Sequence, residues 1–171
     1  SIESRHDNVV LLEYGERFGI AAKNFFRLVR DVDLNSFDYV ALSDQDDIWL
    51  PGKLSRAISL LESTPAAGFS SDVLAFWQDG RQKTVKKSYP QKKFDYFFEA
   101  AGPGCSYCLT GLFMLEFKKF LLEHYSEIYN NASHDWILYA FARHNGYKWV
   151  IDNLPLVYYR QHSNNQTGLN S

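Results

Sequence analysis

The stretch FDYVALSDQDDIWLPGKL, residues 37–54, places three aspartates, Asp44, Asp46 and Asp47, directly after an apolar run. The apolar run is typical of a buried strand, and Pro51 suits the first position of a following helix. Like charges this close repel one another, so crowding them at a strand end costs stability unless something neutralises them. The stretch therefore predicts a strand, an acidic functional loop and a helix.

Size and composition favour one globular domain that covers residues 1–171. The chain is 46 % hydrophobic, which is enough to form a sizeable core. Its net charge of −2 gives no broad basic field, so we expect no nucleic-acid partner, although residues 81–93 are locally rich in Arg and Lys. No apolar run approaches the roughly 18–20 residues of a membrane span, and the first residues do not resemble a signal peptide. A cytoplasmic protein is expected.

The periodicity of apolar residues predicts alternating strands and helices. Strands are expected at residues 9–12, 39–42, 69–77, 147–151 and 156–159. Helices are expected at residues 16–30, from Pro51 onward, and at residues 92–101, 112–129 and 135–145, with an exposed polar loop after the Asp79-Gly80 turn. This order predicts an α/β fold, in which helices flank a mixed, mainly parallel sheet and the ligand site lies beyond the carboxyl ends of the strands.

Two structural explanations for the aspartates fit poorly. A helix cap would lie near Leu50, because the helix is expected to begin at Pro51, and the aspartates come too early. An EF-hand loop needs glycine at its sixth position, where this chain has Trp49. The remaining explanation is a site for a hard divalent cation, Mg²⁺ or Mn²⁺. One or two carboxylates would hold the cation, and water and phosphate oxygens would complete its coordination.

The chain has two cysteines, Cys105 and Cys108, in a CxxC spacing. A redox pair or half of a zinc site would share this spacing, but no second pair is present, and His124 and His134 are the only nearby histidines. We expect two small, buried or reduced cysteines.

Four segments together resemble the family 2 glycosyltransferases, especially bacterial rhamnosyltransferase-like members of lipopolysaccharide, O-antigen and capsule synthesis. The segments are GIAAKNFFRL, ALSDQDDIWLPGKL, SHDWILYAFARHNGY and LVYYRQHSNNQTG. The resemblance implies a Rossmann-like GT-A fold and a nucleotide-sugar donor bound through a DxD motif and a divalent metal. It also implies inverting transfer of the sugar, from dTDP-rhamnose or a UDP-sugar, to a hydroxyl of a saccharide acceptor.

The same resemblance assigns the metal- and donor-binding residues. Asp46 matches the direct metal ligand, and Asp44 either shares the metal or contacts the donor ribose. Asp47 supports either contact. Near the other end of the chain, His162 matches a late histidine that adds a metal or diphosphate contact. Arg160 is assigned a contact with the diphosphate.

Asp135, in the sequence His134-Asp135-Trp136, matches the general base that accepts the proton of the acceptor hydroxyl. An acid in the first turn of a helix, stabilised by the helix dipole, would also explain an aspartate at this position. Trp49, Trp136 and Tyr107 either stack on sugar rings or belong to the core.

The chain departs from the family pattern at its start. Family members open with a strand, a helix and a strand that carries an Asp-Asp-Gly-Ser-type nucleotide-binding motif, and this motif does not precede Ser1. The resemblance therefore implies an N-terminally truncated, partial GT-A domain with exposed sheet edges, for which self-association is expected. It also implies a lipid-linked acceptor and peripheral association with the inner face of the plasma membrane.

Two alternative functions remain at this stage. A domain that binds a sugar nucleotide without turnover fits the truncation. A haloacid-dehalogenase-type phosphatase would use Asp44 as its nucleophile and Asp46 as its acid/base, but Ile48 replaces the Thr or Val of that motif.

Overall fold

The computed structural model describes residues 6–13, 15 and 17–162. The helices in this part of the chain are α1 (Ala21–Asp31), α2 (Lys53–Ser63), α3 (Gly111–Glu123), α4 (Tyr125–Asn131) and α5 (His134–His144). The strands are β1 (Tyr39–Ala41), β2 (Ile48–Trp49), β3 (Gly68–Ser71), β4 (Val73–Trp77), β5 (Gln82–Val85), β6 (Cys108–Thr110), β7 (Trp149–Asp152) and β8 (Val157–Gln161). Two short 3-10 turns lie at Asp95–Phe97 and Gly104–Ser106.

The strands form two mixed sheets, with the orders β1-β6-β3-β7 and β2-β8-β4-β5. This arrangement confirms the predicted α/β class and is consistent with a partial Rossmann-like domain. Parallel pairing is limited to β3 with β7 and β4 with β8, whereas the other four pairings of the described strands are antiparallel. The expectation of mainly parallel pairing is therefore corrected, because β2, β5 and β6 add antiparallel partners that the strand–helix alternation does not reveal.

The first sheet is packed between helices on both faces. The largest buried cluster joins α1, α3 and α5 to one face and includes Phe26, Phe113 and Leu109. Ala57 and Leu61 of α2 pack with Phe69 and Cys108 on the other face. Neighbouring residues of β6 thus point to opposite faces, as the period of a strand requires.

The predicted strand at residues 69–77 is two strands that belong to different sheets. Asp72 divides them, because its buried carboxylate accepts hydrogen bonds from the backbone N–H groups of Lys87 (2.6 Å) and Ser88 (2.8 Å). Its own N–H donates to the carbonyl of Asp152 at the end of β7. The chain therefore passes from one sheet to the other at Asp72.

The predicted strand at residues 9–12 is wrong within the described residues. Val10 and Leu11 are 80 % and 70 % exposed, and the N–H of Val9 closes a turn onto the carbonyl of His6. An apolar run becomes a strand only beside a partner strand. The helix expected from residue 16 begins later, at Ala21, after Gly19 adopts a φ of 76° that favours glycine.

Two other helix predictions need correction. Residues 92–101 contain only the 3-10 turn at Asp95–Phe97, and the single helix expected at residues 112–129 is divided into α3 and α4 at His124. The polar segment after Gly80 contains β5 and is not entirely a loop.

The best predicted elements are those with their own strong signals. β1, α2 and α5 lie where the sequence predicts them, although α2 begins at Lys53 after a left-handed Gly52. Gly146, with a φ of 78°, ends α5 as expected. Among the described helices, none has the length and apolar character that a bilayer-spanning segment requires.

Candidate active site

The acidic loop connects the two sheets. β1 ends at Ala41 in the first sheet, and β2 begins at Ile48 in the second. Asp44, Asp46 and Asp47 lie in this connection, with residues 45 and 46 forming a turn. The loop is therefore held at both ends by strand pairing.

Pairing of β2 with β8 brings the end of β8 beside the acidic loop. His162 Nε2 lies 2.9 Å from Asp46 Oδ2. The N–H of Arg160 donates to Asp47 Oδ1, and its Nε donates to the carbonyl of Asp46, both at 2.9 Å. The short antiparallel pair thus places His162 against a carboxylate more than one hundred positions earlier in the chain.

Asp135 lies in the first turn of α5, where Ser133 is the N-cap residue. Its Oδ1 accepts hydrogen bonds from the Ser133 hydroxyl and from the N–H of Trp136. These two donors fix the orientation of the carboxylate at the amino-terminal end of α5.

An open cleft of about 480 Å³ brings the main predicted site residues together. Asp44, Asp46, Asp135 and His162 all contribute to its lining. Of the other predicted residues, Asp47 and Arg160 lie beside the cleft, where Asp47 holds the backbone of Arg160. The Arg160 guanidinium lies 4.7 Å from the centre of the Phe76 ring.

The loop carries negative charge that the described side chains only partly neutralise. Burial, together with the neighbouring charges of Asp47, Asp46 and Asp135, raises the pKa of Asp44 to about 6. Burial also raises the pKa of Asp47, against the opposing effects of the Cys105 thiol and the Arg160 N–H. Asp47 Oδ2 is buried and has no hydrogen-bond partner among the described residues.

This donor set fits a hard divalent cation. A cation would neutralise the repulsion that raises the pKa of Asp44 and would supply a partner for a buried carboxylate oxygen. Ligand atoms of Asp44, Asp47 and Cys105 lie within 4.8 Å of one another. Burial raises the pKa of Cys105 well above its usual range, so Cys105 remains a thiol, and the carboxylates are the better ligands.

The aromatic and cysteine residues have mainly structural positions. Tyr107 is fully buried and belongs to the core, whereas Trp136 is 41 % exposed. Cys105 and Cys108 are both buried and free, as predicted.

His134 is a cleft residue for which the sequence suggested only a zinc site. Its ring stacks on Phe25, with 4.3 Å between ring centroids, and burial lowers its pKa. His134 Nε2 is buried and has no hydrogen-bond partner in the described part of the chain. A Cβ added at Gly104 would lie 2.2 Å from this nitrogen, so glycine is needed there to admit the imidazole. The sequence signals that could have indicated this packing are the HDW segment at residues 134–136 and the GPG segment at residues 102–104.

Lys53 is a second residue that the sequence did not single out. It is 3 % exposed, its Nζ lies 3.9 Å from the centre of the Trp49 ring, and it has no hydrogen-bond partner among the described residues. Burial lowers its pKa to about 8, against the opposing effects of Cys108 and Cys105. The charged form of Lys53 is therefore destabilised in the folded protein.

We expect Lys53→Met to stabilise the protein by about 1–3 kcal/mol at pH 7, because it removes a buried cation. The loss of the contact between the cation and the Trp49 ring offsets part of this gain. An unfolded chain holds the lysine proton up to a pKa of 10.5, whereas the folded chain releases it near 8. The unfolded state binds more protons between these values, so this lysine makes wild-type stability rise with pH across that window. The difference in the free energy of unfolding between wild type and Lys53→Met should therefore shrink as the pH rises from about 8 to 10.5.

Urea unfolding at several pH values between 7 and 10.5 measures this difference. Lys119→Met, at an exposed position of α3, is the matched control and should change stability little. A constant difference across the window would show that Lys53 is not a destabilised cation.

The cleft of this α/β domain combines an acidic loop that fits a cation with the carboxylate of Asp135, which is held at the start of a helix. This combination matches the class of protein that the motifs indicate, the nucleotide-sugar glycosyltransferases. The chain is 49 % identical, over 154 residues, to the dTDP-rhamnosyl transferase RfbG of Shigella flexneri. This similarity confirms the predicted relationship to rhamnosyltransferase-like glycosyltransferases. The match covers 90 % of the chain and 53 % of RfbG, so the chain spans about half the length of this relative. A comparison with known protein families gives no match.

Proposed function

We propose that this chain contributes to a metal-dependent, inverting glycosyltransferase that transfers rhamnose from dTDP-rhamnose to a hydroxyl of a saccharide acceptor. The name of the relative favours dTDP-rhamnose over a UDP-sugar as the donor. The observation that carries the proposal is the single cleft that collects Asp44, Asp46, Asp135 and His162 from distant parts of the chain.

Asp135 acts as the general base in this proposal. Both hydrogen bonds that the described residues donate to its side chain fall on Oδ1, so Oδ2 accepts the proton of the acceptor hydroxyl. The acceptor oxygen then forms a bond to the anomeric carbon of rhamnose. The bond from that carbon to the diphosphate breaks, and its electron pair leaves with the nucleotide.

The acidic loop acts on the leaving group. Asp46, which contacts His162, and Asp44, whose ligand atom lies within 4.8 Å of that of Asp47, would hold Mg²⁺ or Mn²⁺. The cation would stabilise the negative charge that develops on the departing diphosphate. Asp47 holds the backbone of Arg160 and thereby keeps the end of β8 against the loop. Arg160 binds the diphosphate in this proposal after its side chain leaves the Phe76 ring and the carbonyl of Asp46.

The acceptor belongs to cell-surface polysaccharide synthesis in this proposal. A lipid-linked saccharide at the cytoplasmic face of the membrane is the acceptor class that the motifs favour. Self-association through sheet edges remains a prediction from the sequence.

Incubation of the intact protein with dTDP-rhamnose, Mn²⁺ and a lipid-linked saccharide tests this function. We expect a rhamnosylated product of inverted anomeric configuration, identified by mass spectrometry and NMR. Chelation of the metal should abolish transfer, and added Mn²⁺ should restore it. UDP-sugars serve as the donor control.

Three other outcomes would contradict parts of the proposal. Transfer that persists after chelation would remove the metal from the account. Metal-dependent binding of dTDP-rhamnose without any transfer would favour a non-catalytic domain. Release of phosphate from simple phosphomonoesters would favour the phosphatase alternative.

A further inference from the structure

Three phenylalanines within five positions of one another project from the surface around the 3-10 turn at Asp95–Phe97. Phe94, Phe97 and Phe98 are 52 %, 61 % and 81 % exposed. Single exposed apolar residues are common, whereas a contiguous apolar patch marks an interaction surface.

The turn itself forces these side chains outward. Tyr96 is buried, and the Asp95 carboxylate accepts a 3.0 Å hydrogen bond from Arg143 of α5. A 3-10 turn has about three residues per turn, so residues three apart share a side. Phe94 and Phe97 accordingly lie together, with 6.1 Å between ring centroids, on the side that faces away from the core.

Lysines lie on the same part of the surface as the phenylalanines. Lys92 and Lys93 are exposed, and Lys93 Nζ lies 5.0 Å from the centre of the Phe94 ring. Exposed Lys86 lies over Tyr89, and Tyr89 lines one cleft together with Lys92 and Asp95. The segment that carries Lys86 is therefore beside the turn.

The charge of this surface is positive. The acidic residues within residues 86–99 are Asp95 and Glu99. Asp95 pairs with Arg143, which turns its carboxylate toward α5, and Glu99 lies 3.7 Å from Lys87, so Lys86, Lys92 and Lys93 give the surface its positive charge. We name the lysine–phenylalanine surface by its six members, Lys86, Lys92, Lys93, Phe94, Phe97 and Phe98.

We propose that the lysine–phenylalanine surface binds the chain to an anionic lipid membrane. Phenylalanine side chains insert into the boundary between headgroups and acyl chains, and lysines beside them are attracted to anionic headgroups. A protein partner fits less well, because lysine is depleted from protein–protein interfaces. The charge and the exposed rings complement a membrane surface, and this inference does not depend on the proposed sugar transfer.

The surface also adjoins the cleft. Trp136 Nε1 donates a 2.7 Å hydrogen bond to the carbonyl of Tyr96, and Trp136 follows Asp135 directly. A membrane bound to this surface would therefore lie close to the side of the cleft that carries Asp135. This position suits an acceptor that is itself held in the membrane.

Co-sedimentation of the chain with lipid vesicles tests the proposal. We expect binding to mixed phosphatidylcholine and phosphatidylglycerol vesicles at about 0.1 M salt, and weaker binding to pure phosphatidylcholine or at higher salt. The triple variant Lys86→Gln/Lys92→Gln/Lys93→Gln should lower the partition coefficient about 100-fold, because each lysine near an anionic surface contributes about a factor of five. Phe97→Ser/Phe98→Ser should lower it at least about tenfold.

Matched controls lie on α3, outside this surface. Leu112 is 79 % exposed and Lys119 is exposed, so Leu112→Ser and Lys119→Gln remove the same chemistry elsewhere and should leave vesicle binding unchanged. Circular dichroism of each variant checks that it is folded.

Several results would overturn the proposal. Absence of wild-type binding to anionic vesicles would do so, as would equal losses in the surface variants and the α3 controls. Light scattering without vesicles gives a separate check: a wild-type dimer that Phe97→Ser/Phe98→Ser converts to a monomer would identify the surface as an interface between copies of the chain.

Discussion

Asp135→Asn should lower kcat for sugar transfer by about 10²–10⁴, which corresponds to roughly 3–5.5 kcal/mol of lost transition-state stabilisation. Asparagine retains the shape of the side chain and accepts the hydrogen bonds that Ser133 and Trp136 donate to Asp135 Oδ1. It cannot take up the proton of the acceptor hydroxyl. The loss should therefore appear in the chemical step, while donor and metal binding remain close to wild type.

Turnover at saturating donor and acceptor, measured beside a thermal melt, separates catalysis from helix stabilisation. Glu127→Gln is the matched control, since Glu127 holds an acidic first-turn position in α4 and is not among the residues that line the cleft. A purely helix-stabilising Asp135 predicts that the asparagine variant keeps both its melting temperature and its rate. Turnover within a factor of about three of wild type would remove Asp135 from the mechanism.

The second large effect is expected for Asp46→Asn, which should weaken Mn²⁺ binding by at least about tenfold and weaken dTDP binding in parallel. The parallel loss is expected because the diphosphate contacts the protein through the metal. His162 would also lose the charged partner that lies 2.9 Å from its Nε2. The stability of the metal-free protein should change little, because removing one of three crowded carboxylates also relieves the repulsion between them.

Calorimetric titration with Mn²⁺, and then with dTDP in its presence, measures both losses. Asp38→Asn, at the opposite end of β1 from the acidic loop, is a control with an exposed carboxylate. Wild-type affinity of the Asp46 variant for the metal–nucleotide complex would show that Asp46 is not a metal ligand.

Much of the local structure could be predicted because its signals are local. The apolar run before Asp44 forms β1, and the apolar periodicity with the glycine at residue 146 defines α5. The division at Asp72 could not be predicted, because it depends on backbone donors at Lys87 and Ser88 that only the folded chain brings near. Apolarity alone misled the prediction at residues 9–12, which form no strand in the described part of the chain.

The candidate site divides in the same way. The acidic loop is visible as a cluster of charges in the sequence, and family resemblance indicated Asp135 and His162. The contact between His162 and Asp46 depends on β2, a strand of two residues that no periodicity reveals. The packing of His134 against Gly104 depends on a close approach between segments about thirty positions apart, for which the sequence offers only residue types.

The central claim is that one cleft binds the metal with Asp46 and His162 on one side and Asp135 facing it. Paramagnetic broadening of ¹⁵N-labelled protein by substoichiometric Mn²⁺, with Mg²⁺ as the diamagnetic control, tests this claim most directly. We predict that the amide signals of residues 44–47, Asp135 and His162 broaden first, before those of exposed acids elsewhere such as Asp38 and Asp79. Earlier or equal broadening at Asp38 and Asp79 would contradict a metal site in the cleft.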